Sequence, residues 1–219
     1  SSSIKSDSTK DEIFLENVPK LNDEEKISCE GLLTLEECSN IVSALQNNKS
    51  PGNDGFTGEF YKAFGPIIGN LVVDSFNESY KKGKLTDSQR QAVITLLAKK
   101  DKNRAFLRNW RPISLLNIDY KIASKAIAQR IQKVLPSVIH SDQCGYVSDR
   151  QIGDAVRAIA DVMDYTKKNN SHGLMIFIDF EKGFDSLSWN YMQKCLDAFN
   201  NFGPMLTSWV RVFYNDVSS

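Results

Sequence analysis

At 219 residues, with 41% hydrophobic and 25% charged residues, the chain has an ordinary globular composition and the length of one domain or one and a half. Charge is balanced at 27 basic against 27 acidic residues, and no apolar run nears the ~18 residues of a membrane helix. The polar opening Ser1-Ser2-Ser3-Ile4-Lys5 is no secretory signal, and without an initiator Met the sequence reads as a piece of a longer protein.

The balance hides two uneven stretches. Residues 1–40 hold ten acids and four bases. Residues 81–111 hold ten bases, Lys81, Lys82, Lys84, Arg90, Lys99, Lys100, Lys102, Arg104, Arg108 and Arg111, against Asp87 and Asp101. Such a stripe suits phosphate, although a solvated basic face explains the charge equally well. Cys29, Cys38, Cys144 and Cys195 form no C-x-x-C pair, so they read as free thiols of an intracellular, reducing compartment.

In chain order, residues 1–33 are acidic, weakly periodic and read as a linker or loosely docked arm. Thr34-Leu35-Glu36-Glu37 is a capping box, and Leu35, Ile41, Val42 and Leu45 behind it share a helix face. Lys49 to Gly55 is a loop. A second helix starts near Glu59, breaks at Gly65-Pro66, resumes at Ile67 and stops at Lys82-Gly83.

Residues 91–98 are short, apolar and partly β-branched, the pattern of a strand. A basic loop follows, and Trp110 to Leu116 returns as the partner strand, with Pro112 confining it to an edge or hairpin. A helix capped by Asp119 and closed by Pro136 has Ala123, Ile127 and Ile131 on one face. Lys121 and Lys125 lie elsewhere on it, one turn apart. Gln143 to Arg150 is a loop, and 151–168 is a helix. The apolar run 174–178, ending in Asp179, reads as a strand covered on both faces. Two further helices, about 186–201 and 204–215, flank Phe202-Gly203-Pro204.

Asp179 draws attention because a carboxylate ending a buried strand must be paired, solvated or metal-bound. Its oxygens suit Mg²⁺; a helix cap or an ion pair with Lys182 is the structural alternative.

Five motif blocks decide the weighting. Asp179-Phe180-Glu181-Lys182-Gly183-Phe184-Asp185 resembles the first catalytic motif of non-LTR retrotransposon reverse transcriptases, D-x-x-K-A-F-D. Asn109-Trp110-Arg111-Pro112-Ile113-Ser114-Leu115-Leu116-Asn117 resembles their fingers motif, and Asp119 to Lys125 the segment after it. Lys49-Ser50-Pro51-Gly52-Asn53-Asp54-Gly55 and Gln143-Cys144-Gly145-Tyr146 resemble two more family elements. One block is weak; five in family order over about 34–216 are specific.

The resemblance implies an α+β right-hand polymerase fold, helix-rich, with a short fingers hairpin, an incomplete palm and a palm strand at 174–179. It implies an acidic arm over 1–33, fingers over 34–150 and the start of the palm over 151–219. The implied activity is RNA-directed DNA synthesis from an RNA template, a DNA primer 3′-hydroxyl and dNTPs, with two Mg²⁺ ions. The rest of the palm and the thumb would belong to the parent polyprotein. Asp179 becomes the first metal-binding carboxylate and the Phe180 backbone carbonyl its companion. Arg111 and Lys99 become triphosphate contacts, and Phe184 the ring that excludes the ribose 2′-hydroxyl. Lys100, Lys102, Lys121, Lys125, Arg130 and Lys133 become nucleic-acid backbone contacts.

Departures are visible as well. Gly183 stands where Ala is usual, Ser148-Asp149-Arg150 replaces K-G-R, and no Asp-Asp pair occurs. The alternative reading is therefore a non-catalytic, nucleic-acid-binding remnant of a decayed element.

Overall fold

The structure, a computed structural model, describes residues 13–16, 18–180, 183, 186–198 and 202–215. Packing divides the chain into two units, Ser1–Ser28 with Arg130–Phe202, and Cys29–Gln129 with Gly203–Ser219. The elements in order are α1 (Asp23–Cys29), α2 (Leu35–Ser43), α3 (Gly58–Lys82), α4 (Asp87–Arg90), β1 (Ala92–Ala98) and β2 (Trp110–Leu116). After these come α5 (Ile118–Val138), α6 (Ile152–Lys168), α7 (Trp189–Ala198) and α8 (Pro204–Tyr214). The architecture is helix-rich with one small antiparallel sheet, in keeping with an α+β chain.

The second unit holds its core between α2, α3, the first half of α5 and α8. Its centre is Trp209, fully buried, with its ring 4.7 Å from Tyr80 and 5.9 Å from Phe213. The indole N–H donates to the Gly31 carbonyl at 3.2 Å, which satisfies the one polar atom a buried Trp carries. Helix α8 begins after Gly203, whose φ is +94°. The Glu30 carboxylate accepts the N–H groups of Met205 and Leu206 at 3.0 and 3.2 Å, so it caps the helix from outside. A Cβ on Gly203 would overlap that carboxylate, so both the backbone angle and the space require glycine.

These contacts revise the expectation of a loose arm for its last part, residues 21–33. Leu21, Cys29 and Leu33 are buried, and Asn77 exchanges two hydrogen bonds of 3.0 Å with the Leu33 backbone. The acidic composition concealed three inward-facing apolar residues and, in Glu30, a carboxylate that caps α8.

Thr34 caps α2 with both capping-box bonds in place. Helix α3 ends at Gly83, with φ +72°. The break expected at Gly65-Pro66 does not occur: α3 runs unbroken for 25 residues with Pro66 inside it. The cost of an internal proline, about 3 kcal/mol, is offset by packing on both sides, through Tyr61 before it and Val73 and Phe76 after it. Likewise Pro136 lies inside α5 rather than closing it. Asp119 sits in the first turn of α5, where its carboxylate accepts the Tyr120 N–H at 2.6 Å.

The strand expected over 174–179 is not formed. Residues 171–180 have no regular secondary structure, with Leu174 86% and Ile178 75% exposed. A strand exists only against a partner, and the two strands among the described residues pair with each other. Helix α6 in the same unit has the amphipathic pattern expected, yet none of its residues is buried.

Candidate nucleotide and nucleic-acid interface

The basic stripe concentrates on the β1–β2 hairpin. The register runs from Ala92 opposite Leu116, through Leu96 opposite Pro112 and Leu97 opposite Arg111, to Ala98 opposite Trp110. Pro112 is tolerated because a two-stranded sheet has only edges. The ladder continues one step past β1, where the Lys99 N–H donates to the Asn109 carbonyl at 2.8 Å. Paired residues share a face and successive residues alternate. Leu97–Arg111 and Lys99–Asn109 are two steps apart, so Lys99 and Arg111 lie on one face of the hairpin.

The turn itself is ordered by its own side chains. The Asn103 side-chain oxygen accepts the Ala105 N–H at 2.9 Å, and the Asn103 carbonyl accepts Asn109 Nδ2 at 2.7 Å. The Trp110 indole donates to the Arg104 carbonyl at 2.9 Å. Arg108 stacks over the Phe106 ring at 5.1 Å. Lys100 and Lys102 are exposed on this turn, as is Arg111 on the strand beyond it. Six bases therefore stand within residues 99–111 against Asp101 alone. Of the bases upstream, Lys81 pairs with Glu78 and Arg90 with Asp87.

The hairpin is anchored at its root by the last residue of the fingers motif. Asn117, 1% exposed, follows β2 directly. Its Oδ1 accepts the Asp54 N–H at 3.3 Å and its Nδ2 donates to the Ser88 carbonyl at 3.0 Å. Gly52 presses against the Asn117 backbone. Asn53 reaches Gln91 at 3.1 Å. Thus the 49–55 loop docks on the junction of β2 and α5. The signal was present in the sequence, since both motif blocks carry these residues, but nothing local says that two blocks touch.

Below the loop lies a half-buried polar group. Burial raises the Asp119 carboxyl above the usual carboxylate range, with Asp54 adding to the effect and the Tyr120 N–H opposing it. Burial, Asp119 and Asp54 together push the Tyr61 hydroxyl up. Burial lowers the Lys121 ammonium, against the pull of Asp54.

The other candidates are scattered. Lys125 and Lys133 are exposed on α5. Arg130, by contrast, is only 4% exposed. It sits at the helical spacing of Ala123, Ile127, Val134 and Val138, all buried, and its charge masked that register. Asp179 and Phe180 are exposed and belong to the first unit, whereas Lys99 and Arg111 belong to the second. Phe184 and Asp185 lie outside the described residues. Among the described residues no three His, Cys, Asp or Glu side chains gather as a metal site. Mg²⁺ takes roughly six oxygens, most of them from water and substrate phosphates, so Asp179 and the Phe180 carbonyl would supply only part of such a set.

Comparison with known proteins meets this geometry. The family model for reverse transcriptase (RNA-dependent DNA polymerase) matches residues 97–219, from the end of β1 onward. The chain belongs to the reverse transcriptase family. A 149 kDa protein of transposon TX1 from Xenopus laevis is 37% identical over 199 residues, 91% of this chain and 15% of that protein. The Pol polyprotein of type-1 retrotransposable element R1 from Bradysia coprophila is 27% identical over 175 residues, 78% of this chain and 17% of that protein. The RNA-directed DNA polymerase of mobile element jockey from Drosophila melanogaster is 23% identical over 155 residues, 70% of this chain and 17% of that protein. With these relatives, the chain is of the non-LTR retrotransposon type. It spans about 15–17% of the length of the curated relatives just named.

Proposed function

We propose that this chain is the nucleotide- and template-facing part of an intracellular RNA-directed DNA polymerase that extends a DNA primer on an RNA template. The hairpin carries the reading: its register puts Lys99 and Arg111 on one face beside an ordered basic turn. Arg111 suits a triphosphate because guanidinium stays charged and binds two phosphate oxygens at once. Lys100, Lys102, Lys121, Lys125 and Lys133 contribute charge along the nucleic-acid backbone, which positions a duplex without reading its sequence. Residues 34–150 act as fingers and 151–219 as the start of the palm. Asp179 and the Phe180 carbonyl offer two oxygens toward a divalent ion. Phe184 is the ring that tells deoxyribose from ribose. No helix among the described residues is long and apolar enough to cross a membrane.

The same reading accounts for the exposed apolar surface of the first unit. The 174–178 run and the Ile152, Val156, Ile159 and Met163 face of α6 are the surfaces that further palm strands would cover.

The test is fluorescence anisotropy of a labelled RNA–DNA primer-template titrated with the chain over a range of salt. Affinity falls steeply with salt, because each phosphate contact releases a counterion, and Arg111→Glu with Lys99→Glu weakens binding and flattens the slope. Salt-independent binding, or the wild-type slope in the double variant, contradicts the reading.

A further inference from the structure

The loop between α5 and α6 presents one ring on a costly backbone. Tyr146 has φ +62° and is 83% exposed. A non-glycine residue in the left-handed region is disfavoured by sterics, and a bulky one there is an outlier. Burial of the ring does not offset that cost. The surrounding structure holds it instead.

Gln132 Nε2 donates to the Tyr146 carbonyl at 3.2 Å and to Ser148 Oγ at 2.9 Å. Val147, the next residue, is 7% exposed and anchors the loop inward. Arg150 donates to the carbonyls of Pro136, Ile139, His140 and Gln143, closing the loop onto the end of α5. Gln143 Nε2 donates to the Gly145 carbonyl at 3.2 Å. The braces act on both sides of Tyr146, and they fix an outward-facing aromatic side chain on a rigid loop.

Charge does not recruit phosphate here. Arg150 is committed to carbonyls, and Asp142 and Asp149 flank the ring in sequence. A rigid, exposed aromatic suits the flat face of a nucleobase, whose stacking needs no charge and is tolerant of sequence. Strain maintained around an exposed group is a sign of use rather than of packing. Resting on the proposed reading above, we infer that Tyr146 is a stacking platform for an unpaired base of the single-stranded nucleic acid bound by this chain.

Glycine at position 146 removes the ring and relieves the backbone, so Tyr146→Gly separates binding from folding. The probes are a labelled 16-nucleotide single-stranded RNA and an abasic strand of the same length. Tyr146→Gly is expected to melt no lower than wild type and to bind the RNA about tenfold more weakly, with an unchanged salt slope. Tyr146→Phe is expected to bind as wild type, and both variants to match wild type on the abasic strand. Unchanged RNA affinity in Tyr146→Gly, or an equal loss on the abasic strand, overturns the inference while wild-type binding stands. No binding of either strand by the wild-type chain overturns the underlying reading and the inference together.

Discussion

Gly52 and Asn117, 65 positions apart, are packed so closely that a Cβ on the glycine would overlap both the Asn117 side-chain oxygen and its backbone nitrogen. The carbonyl carbon of Leu116 would stand only 2.6 Å away. Two motif blocks therefore meet backbone to backbone, and one fixes the root of the strand that carries Arg111.

Gly52→Ala should destabilise the chain by about 1–3 kcal/mol, because the obstacle is main chain that cannot rotate aside. Asn117→Ala should cost a similar ~1–3 kcal/mol, leaving the Asp54 N–H and Ser88 carbonyl unpaired. Urea unfolding measures both. Wild-type midpoints in either variant contradict the docking described.

Asp119 gives a pH dependence of known sign. Its folded carboxyl is raised by burial, so the folded state keeps the proton at a pH where the unfolded chain has lost it. Stability therefore declines as pH rises from the ordinary aspartate value of about 3.9 through the higher folded value. Asp119→Asn should remove this decline and flatten the profile, measured as the urea midpoint between about pH 3.5 and 7. Parallel profiles for the two proteins argue against it.

Asp149 has φ +63° at the position where the family pattern places glycine. Asp149→Gly should raise stability by about 0.5–1 kcal/mol through relief of the left-handed backbone. Arg150→Lys should lower it, since one ammonium cannot serve the four carbonyls that the guanidinium reaches. Thermal melts distinguish the two directions.

What the sequence disclosed was what it encodes locally. The Thr34 capping box spans four residues, and the hairpin follows from alternation, a polar turn and Pro112. Both are set by neighbours along the chain. The failures are non-local. The 174–178 run is apolar enough for a strand, but its backbone has no partner among the described residues. Pro66 is a helix breaker by propensity, overruled by packing at Tyr61, Val73 and Phe76. Arg130 is different, because its charge reads as surface while its local helical register, shared with Ile127 and Val134, is that of a buried residue. Of the candidate site, Lys99 and Arg111 could be placed on one hairpin from the pattern alone. The Asn117 anchor could not, because it depends on a loop 65 positions away.

The 219-residue chain by itself should bind nucleic acid without extending a primer, since its sequence holds no Asp-Asp pair to join Asp179. In a primer-extension reaction with the purified chain, RNA–DNA primer-template, dNTPs and Mg²⁺, no product should form. Product that vanishes with Asp179→Ala contradicts this.

The most direct measurement uses a longer polypeptide of the same element that contains this chain and extends a primer. The apparent KM for dNTP is compared between wild type and Arg111→Ala, with Asp179→Ala as the second variant. The account predicts that Arg111→Ala raises KM while extension persists, because one phosphate contact is lost, and that Asp179→Ala abolishes extension. An unchanged KM in Arg111→Ala, or wild-type extension by Asp179→Ala, would contradict it.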